Sequence, residues 1–234
     1  MSLKKLPETD EERLNILSAI IDQEELSESQ YKVLSILEMQ ELRVFLISFE
    51  GHLFVKNQAI VDKDKAMATY DGLFKNAQMY ISHFIQVLFL TVIRSEIKPE
   101  NLQLYGFENW DKPFKPDLSS EDAILKWGKN LMQGEAERIY RRGTPLYNPA
   151  IAKLKVHYEL FADAIQSTNI YKKNLDRLLV GMVPIRKKAN ELIESVWKKV
   201  EEKYEKLPYN ERIKKYNAYK IRFYQMGEQL NVFS

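Results

Sequence analysis

Apolar residues recur along this chain in steps of three and four, which predicts helices with one buried face rather than alternating strands. A first helix opens at Thr9, whose hydroxyl is placed to accept from the Glu12 backbone N–H while the Glu12 carboxylate reaches back. Its apolar stripe is Leu14, Leu17, Ile20 and Ile21. A polar break over residues 23–29 precedes a longer helix that carries Leu42, Leu46, Phe49, Leu53, Ile60 and Met67 on one seam. Asp71-Gly72 reads as a turn. The helix after it is apolar on nearly every side over residues 79–93, so neighbours or a second subunit must wrap it.

Residues 96–148 change character, with Pro99, Pro113, Pro116 and Pro145 punctuating short segments. The clearest of these is a helix capped at Ser119 or Ser120 that carries Ile124, Leu125, Trp127 and Leu131 and runs to about Arg141. Asn148-Pro149 restarts a long helix, with Asn as the cap and Pro at the position whose missing N–H costs nothing. Its stripe is Leu154, Tyr158, Phe161, Ile165, Leu175, Leu179 and Met182. Gly181 and Pro184 then read as the ends of a turn into a return helix with Ile185, Ala189, Leu192, Ile193, Val196 and Val200 inward.

A shift of 112 residues lays 41–89 on 153–201 without a gap, with eight identities that include Leu42/Leu154, Val44/Val156, Phe49/Phe161, Ala77/Ala189 and Ile81/Ile193. The expected fold is all-α in a single domain: an elongated antiparallel four-helix bundle made of two repeated long helical hairpins, residues 28–95 and 149–206. A crossover over 96–148 carries short helices, and 207–234 form a C-terminal extension. At about 1.5 Å per residue, helices of about 25–40 residues give a rod roughly 40–60 Å long.

Composition narrows the class. Eight Gly and eight Pro in 234 residues suit a helical protein, and the absence of Cys excludes a disulfide scaffold. With 35 Lys plus Arg against 33 Asp plus Glu, the net charge of +2 supplies no whole-protein field for nucleic acid or membrane. The N-terminus turns acidic at Glu8, Asp10, Glu11 and Glu12 before any apolar signal core forms. The apolar stretch over 79–93 stops at Arg94, short of the ~20 residues of a bilayer span. A cytoplasmic protein with no membrane segment is the expectation.

The segments YISHFIQVLFLTVIRSEIKPE, LQLYG, AILKWGKNLMQGEAERI and RRGTPLYNPAIAKLKV, in that order, resemble a family of uncharacterised bacterial helical proteins of about this length. The resemblance covers residues 40–205, with RRGTPLYNP its most specific part. It implies a helical-bundle fold and carries over no activity and no catalytic residue.

Metal and nucleotide chemistry find no pattern. Di-iron bundles use Glu-x-x-His, whereas Phe49, Tyr80 and Leu154 stand three residues before His52, His83 and His157, which reads as partly buried, hydrogen-bonded imidazoles. Asp62, Asp64 and Asp71-Gly72 lack the calcium-loop spacing, because Ala66, Met67 and Leu73 occupy its fifth, sixth and twelfth positions. No Gly-x-Ser-x-Gly elbow, Gly-rich phosphate loop or thiol is present, so no cofactor, metal or catalytic residue is assigned and no enzyme is indicated.

One segment suits an anion. Arg138, Arg141 and Arg142 cluster at a helix C-terminus, with Thr144, Tyr147 and the N–H groups after Asn148 as further donors. Helix capping by Gly143 and compensation of the helix dipole account for the same residues. Charge is also uneven: residues 1–50 hold five cations against eleven anions, and 198–222 hold nine against four, interleaved with Tyr204, Tyr209, Tyr216, Tyr219 and Phe223. That basic aromatic segment suits a single nucleic-acid strand, or else packs internally and docks on the acidic N-terminal half. Residues 220–233 suit a short hairpin around Gly227. The function expected is that of a non-catalytic helical interaction or scaffold protein, with a protein partner or self-association through 79–93. Small-ligand or anion binding at the crossover and single-stranded nucleic-acid binding are the alternatives.

Overall fold

The computed structural model describes residues 4–107 and 116–223. It is all-helical over these residues, in the order α1 (Asp10–Leu26), α2 (Ile36–Ile93), α3 (Glu121–Tyr140), α4 (Ile151–Tyr204) and α5 (Tyr209–Ala218). Two 3-10 segments, Ser29–Tyr31 and Pro99–Tyr105, sit in the connections. The capping box at Thr9 and Glu12 is present, and α3 is capped by the Ser120 hydroxyl, which accepts from the Ala123 N–H at 3.2 Å.

Both expected hairpin turns are overturned. Asp71-Gly72 lies inside α2, an uninterrupted helix of 58 residues, and Gly181 and Pro184 lie inside the 54-residue α4. One glycine costs a helix about 1 kcal/mol and one proline about 3 kcal/mol, which long flanks of good helix formers offset. Pro184 is on an exposed face, where water can reach the carbonyl that loses its helical partner. Each expected hairpin is therefore one long helix. Within α2, an 18-residue window has the length and composition of a membrane span at a mean hydropathy of 1.2, where the sequence pattern suggested none; 39% of that window is buried.

The chain divides into two compact units, Met1–Ala59 with Leu175–Ser234, and Ile60–Asn174. In the first unit, Ile16, Leu17 and Ile20 of α1 pack with Leu42, Phe49 and Leu53 of α2 and with Ala189, Ile193, Val196, Trp197 and Val200 of α4. Asp10, 6% exposed, accepts from Arg186 at 2.7 and 2.8 Å and from Lys56 at 2.9 Å. The basic aromatic segment is engaged here. Tyr204 donates to the Tyr31 carbonyl, Lys215 lies over the Tyr31 and Tyr204 rings, and Tyr216 packs on Phe223. Lys199 pairs with Glu38 and Arg222 with Glu12, so cations of the C-terminal segment meet anions of the N-terminal one. Phe223 forms an isolated bridge with Lys4; the hairpin expected around Gly227 lies outside the described residues.

In the second unit, Ala77, Ile81, Phe84, Ile85 and Leu88 of α2 pack with Leu131 of α3 and Leu154 and Phe161 of α4. The apolar stretch over 79–93 is thus wrapped mainly by its own unit, with Met79, Leu90 and Ile93 left exposed. Gly128 and Gly134 make α3 thin where it needs to be. A Cβ on Gly128 would lie 2.3 Å from the Tyr158 ring, and one on Gly134 would lie 2.6 Å from the Tyr105 ring. Of the imidazoles expected to be hydrogen-bonded, His52 has its Nδ1 2.6 Å from the Ser48 carbonyl oxygen, whereas His157 stacks on Tyr80 at 4.0 Å with its Nδ1 buried and without a hydrogen-bond partner among the described residues.

Each unit also buries a glutamate on the same plan. In the first, Glu24 of α1 accepts from the Val33 and Leu34 N–H groups and from the Tyr219 hydroxyl at 2.5 Å. In the second, Glu135 of α3 accepts from the Leu146 N–H at 2.9 Å and from the Tyr105 hydroxyl at 2.5 Å. Burial first, and then donation to the carboxylate, pushes both phenols above their ordinary range.

Candidate functional site

The second unit holds a cleft of about 900 Å³ where α2 and α3 end. Both ends are closed by backbone alone. At α2, Ser95 takes a left-handed conformation (φ 62°) while the Ser95 and Glu96 N–H groups donate to the Val92 and Thr91 carbonyls, both at 2.9 Å. At α3, Arg142 is the left-handed residue (φ 65°), and the Arg142 and Gly143 N–H groups donate to the Ile139 and Arg138 carbonyls, both at 2.9 Å. The stop is therefore Arg142 and not Gly143. Gly143 is required for another reason: a Cβ there would lie 2.8 Å from the Arg138 carbonyl oxygen.

All five candidate residues, Arg138, Arg141, Arg142, Thr144 and Tyr147, line this cleft, and their states differ. Arg138 is 4% exposed and already committed. Its Nη2 donates to the Glu135 carboxylate at 2.9 Å and to the Thr144 carbonyl at 2.8 Å, and its Nε donates to the Tyr105 hydroxyl at 2.7 Å. It braces the 143–148 loop against α3 rather than offering charge to a ligand. Arg141 is exposed and pairs with Glu137 at 2.7 Å. Arg142 has no side-chain partner among the described residues. Thr144 and Tyr147 are exposed at the rim.

Sequence reasoning missed Arg94, Lys98, His83 and Asn101, which complete the lining. Arg94 and Lys98 follow the end of α2, and neither has a side-chain partner among the described residues. Their signal in the sequence was the two cations that close the long apolar stretch at 94–98. Glu96 is the lone carboxylate of the lining, while Val87, Leu90, Ile97, Pro145 and Leu146 form an apolar wall. Asn148 also faces the cleft and does not cap α4, which begins at Ile151 after a turn that pairs Tyr147 with Ala150. Among the described residues no three His, Asp or Glu side chains converge as a metal site needs. The chemistry the cleft offers is guanidinium, ammonium, hydroxyl and amide donors together with apolar lining side chains.

No protein-family model matches the chain, and neither a curated protein nor a solved structure matches it.

Proposed function

We propose that the protein binds a small anionic ligand in the cleft of its Ile60–Asn174 unit, with Arg94, Lys98 and Arg142 contacting the anion. One observation carries this reading. The backbone caps both helix ends unaided, yet three cations from two separate segments stand in one concavity without a side-chain partner among the described residues. Compensation of a helix dipole accounts for about 0.3–1 kcal/mol per cation and does not require them to share a cleft. Arg138 is a positioning residue, holding the loop that carries Thr144 and Tyr147. Titration calorimetry with pyrophosphate as the test anion is expected to show binding that weakens with salt. The triple variant R94A/K98A/R142A, folded by circular dichroism, should lose it by tenfold or more; equal affinity in that variant refutes the reading.

The scaffold reading keeps one specific support. In the first unit α2 exposes Leu37, Val44, Ile47 and Phe54 at three- and seven-residue steps, the spacing of a helix-pairing seam. Self-association through this face replaces the 79–93 helix as the surface of choice. Light scattering should report a dimer that Phe54→Lys dissociates, and a monomeric wild type at high concentration removes this second reading.

We also propose that the two units are copies of one ancestral unit. The pairs Leu42/Leu154, Phe49/Phe161, Ala77/Ala189 and Ile81/Ile193 are buried in both members, and so is Glu24/Glu135. Leu34 and Leu146, whose N–H groups serve those two carboxylates, stand at the 112-residue offset, while Glu24 and Glu135 stand 111 residues apart and their donors Tyr105 and Tyr219 stand 114 apart.

A further inference from the structure

Resting on the anion-binding reading of this cleft, we infer that its ligand is an organic phosphate, with the phosphoryl group at Arg94, Lys98 and Arg142 and an apolar body against Val87, Leu90, Ile97 and Leu146. Charge points to phosphate. Three cations without a side-chain partner among the described residues share the lining with one carboxylate, Glu96, because Arg141 is offset by Glu137 and Arg138 by Glu135. A carboxylate brings a single charge and two oxygens in a plane. A phosphate ester brings about −1.5 to −2 and three acceptor oxygens, which suits donors arriving from two segments, residues 94–98 and 141–142.

Size and the apolar lining residues point to the organic part. A cleft of about 900 Å³ is far larger than a phosphoryl group needs and lies in the range of sites that enclose whole organic ligands. Leu90, 47% exposed, lines the cleft along with the buried Ile97 and Leu146, so a ligand body over Leu90 removes apolar surface from water. Covering one methylene strengthens binding about fourfold.

The test is titration of the full chain with inorganic phosphate, butyl phosphate, hexyl phosphate and hexanoate. Affinity should rise by about threefold to fourfold per added methylene, hexyl phosphate should bind at least tenfold more tightly than hexanoate, and Leu90→Ser should flatten the chain-length dependence. Phosphate and hexyl phosphate binding equally overturns the organic body, and hexanoate matching hexyl phosphate overturns the phosphoryl group. Either result leaves the anion reading standing if pyrophosphate still binds through Arg94, Lys98 and Arg142. Failure of every anion refutes both. Sedimentation with vesicles of phosphatidic acid in phosphatidylcholine separates the sources of the same chemistry. Pelleting that is lost in Arg142→Ala supports a lipid-borne phosphate, and hexyl phosphate binding without pelleting supports a soluble ester.

Discussion

Replacing Arg142 by glycine should move stability and ligand affinity in opposite directions. Arg142 closes α3 at φ 65°, a conformation that costs a residue with a Cβ about 1–2 kcal/mol and costs glycine nothing. Glycine gives back about 0.4–1 kcal/mol through the greater freedom of the unfolded chain. The Arg142 side chain has no partner among the described residues, so no contact is lost and the net gain is about 0.5–1 kcal/mol. In a chain of this length that is a rise in Tm of about 1–4 °C. The same change removes a charge-assisted hydrogen bond to the anion, worth about 1.5–3 kcal/mol, so Kd should rise by roughly tenfold to a hundredfold. Thermal melting followed by circular dichroism reads the first effect, and titration with pyrophosphate reads the second. Arg142→Ala is the control, losing affinity without the conformational relief. A fall in Tm in Arg142→Gly shows that the side chain holds the fold, and an unchanged Kd shows that it is not part of the site; either refutes the reasoning.

The remaining predictions concern the frame around the site. Asp10 is held below the usual carboxylate range, first by the Arg186 hydrogen bond and then by Lys56, against the opposing effect of burial. Its contribution is therefore full above the unfolded carboxyl pKa of about 4 and is lost progressively as pH falls below it. Asp10→Asn should cost about 3–5 kcal/mol at neutral pH, by leaving Lys56 and Arg13 buried without their anion, and should flatten the loss of stability on acidification. An unchanged acid profile contradicts this. Glu38, pulled down to about 2 by Lys199 and by the Ser35 N–H and hydroxyl, adds acid sensitivity that is spent by about pH 2, before the loss at Asp10 is complete. Gly134→Ala should destabilise by about 3 kcal/mol in denaturant melts, since its Cβ would meet the Tyr105 ring at 2.6 Å and the Leu104 carbonyl oxygen at 2.7 Å; a neutral result means the ring moves freely. Pro184→Ala restores a helical N–H on an exposed face and should raise stability by about 1 kcal/mol, whereas a turn at that point would make the change destabilising.

The parts of this fold that were legible in the sequence are those decided within a few residues. The Thr9–Glu12 capping box, the Ser120 cap and the buried stripe positions Leu17, Ile20, Leu42, Phe49, Leu154 and Phe161 follow from local hydrogen bonding and helical spacing. The turns at Asp71-Gly72 and Gly181 to Pro184 were misread because a breaker's cost is local while the helix it sits in is stabilised along its whole buried face. Half of the cleft was visible because Arg138, Arg141, Arg142, Thr144 and Tyr147 are sequence neighbours. Arg94 and Lys98 join them only because two helices end at the same place. Glu24 and Glu135 were hidden for a different reason. A glutamate on an apolar stripe looks like a rim residue until a distant tyrosine and the loop amides are seen to enclose it.

If the two units are copies, the site lies where they diverged. Both keep a buried glutamate, a tyrosine that donates to it and a leucine N–H that binds it, which fixes the segment leading into the long helix. In the first unit, Ser27 stands three residues after Glu24, and the segment closes with Ser35 and Glu38, whose side chains exchange hydrogen bonds with each other's backbone N–H groups. That is an acidic, self-satisfied helix start. In the second unit, Arg138 stands three residues after Glu135, Arg141 and Arg142 follow, and Tyr147 stands 112 residues beyond Ser35. At the 112-residue offset Arg141 and Arg142 stand where the first unit has the uncharged Ser29 and Gln30, and Arg94 and Lys98 stand at the same cleft without a side-chain partner among the described residues. Cations at helix ends compensate the dipole without having to share a concavity, so the placement of these together, one of them at φ 65°, is what supports the proposed anion site.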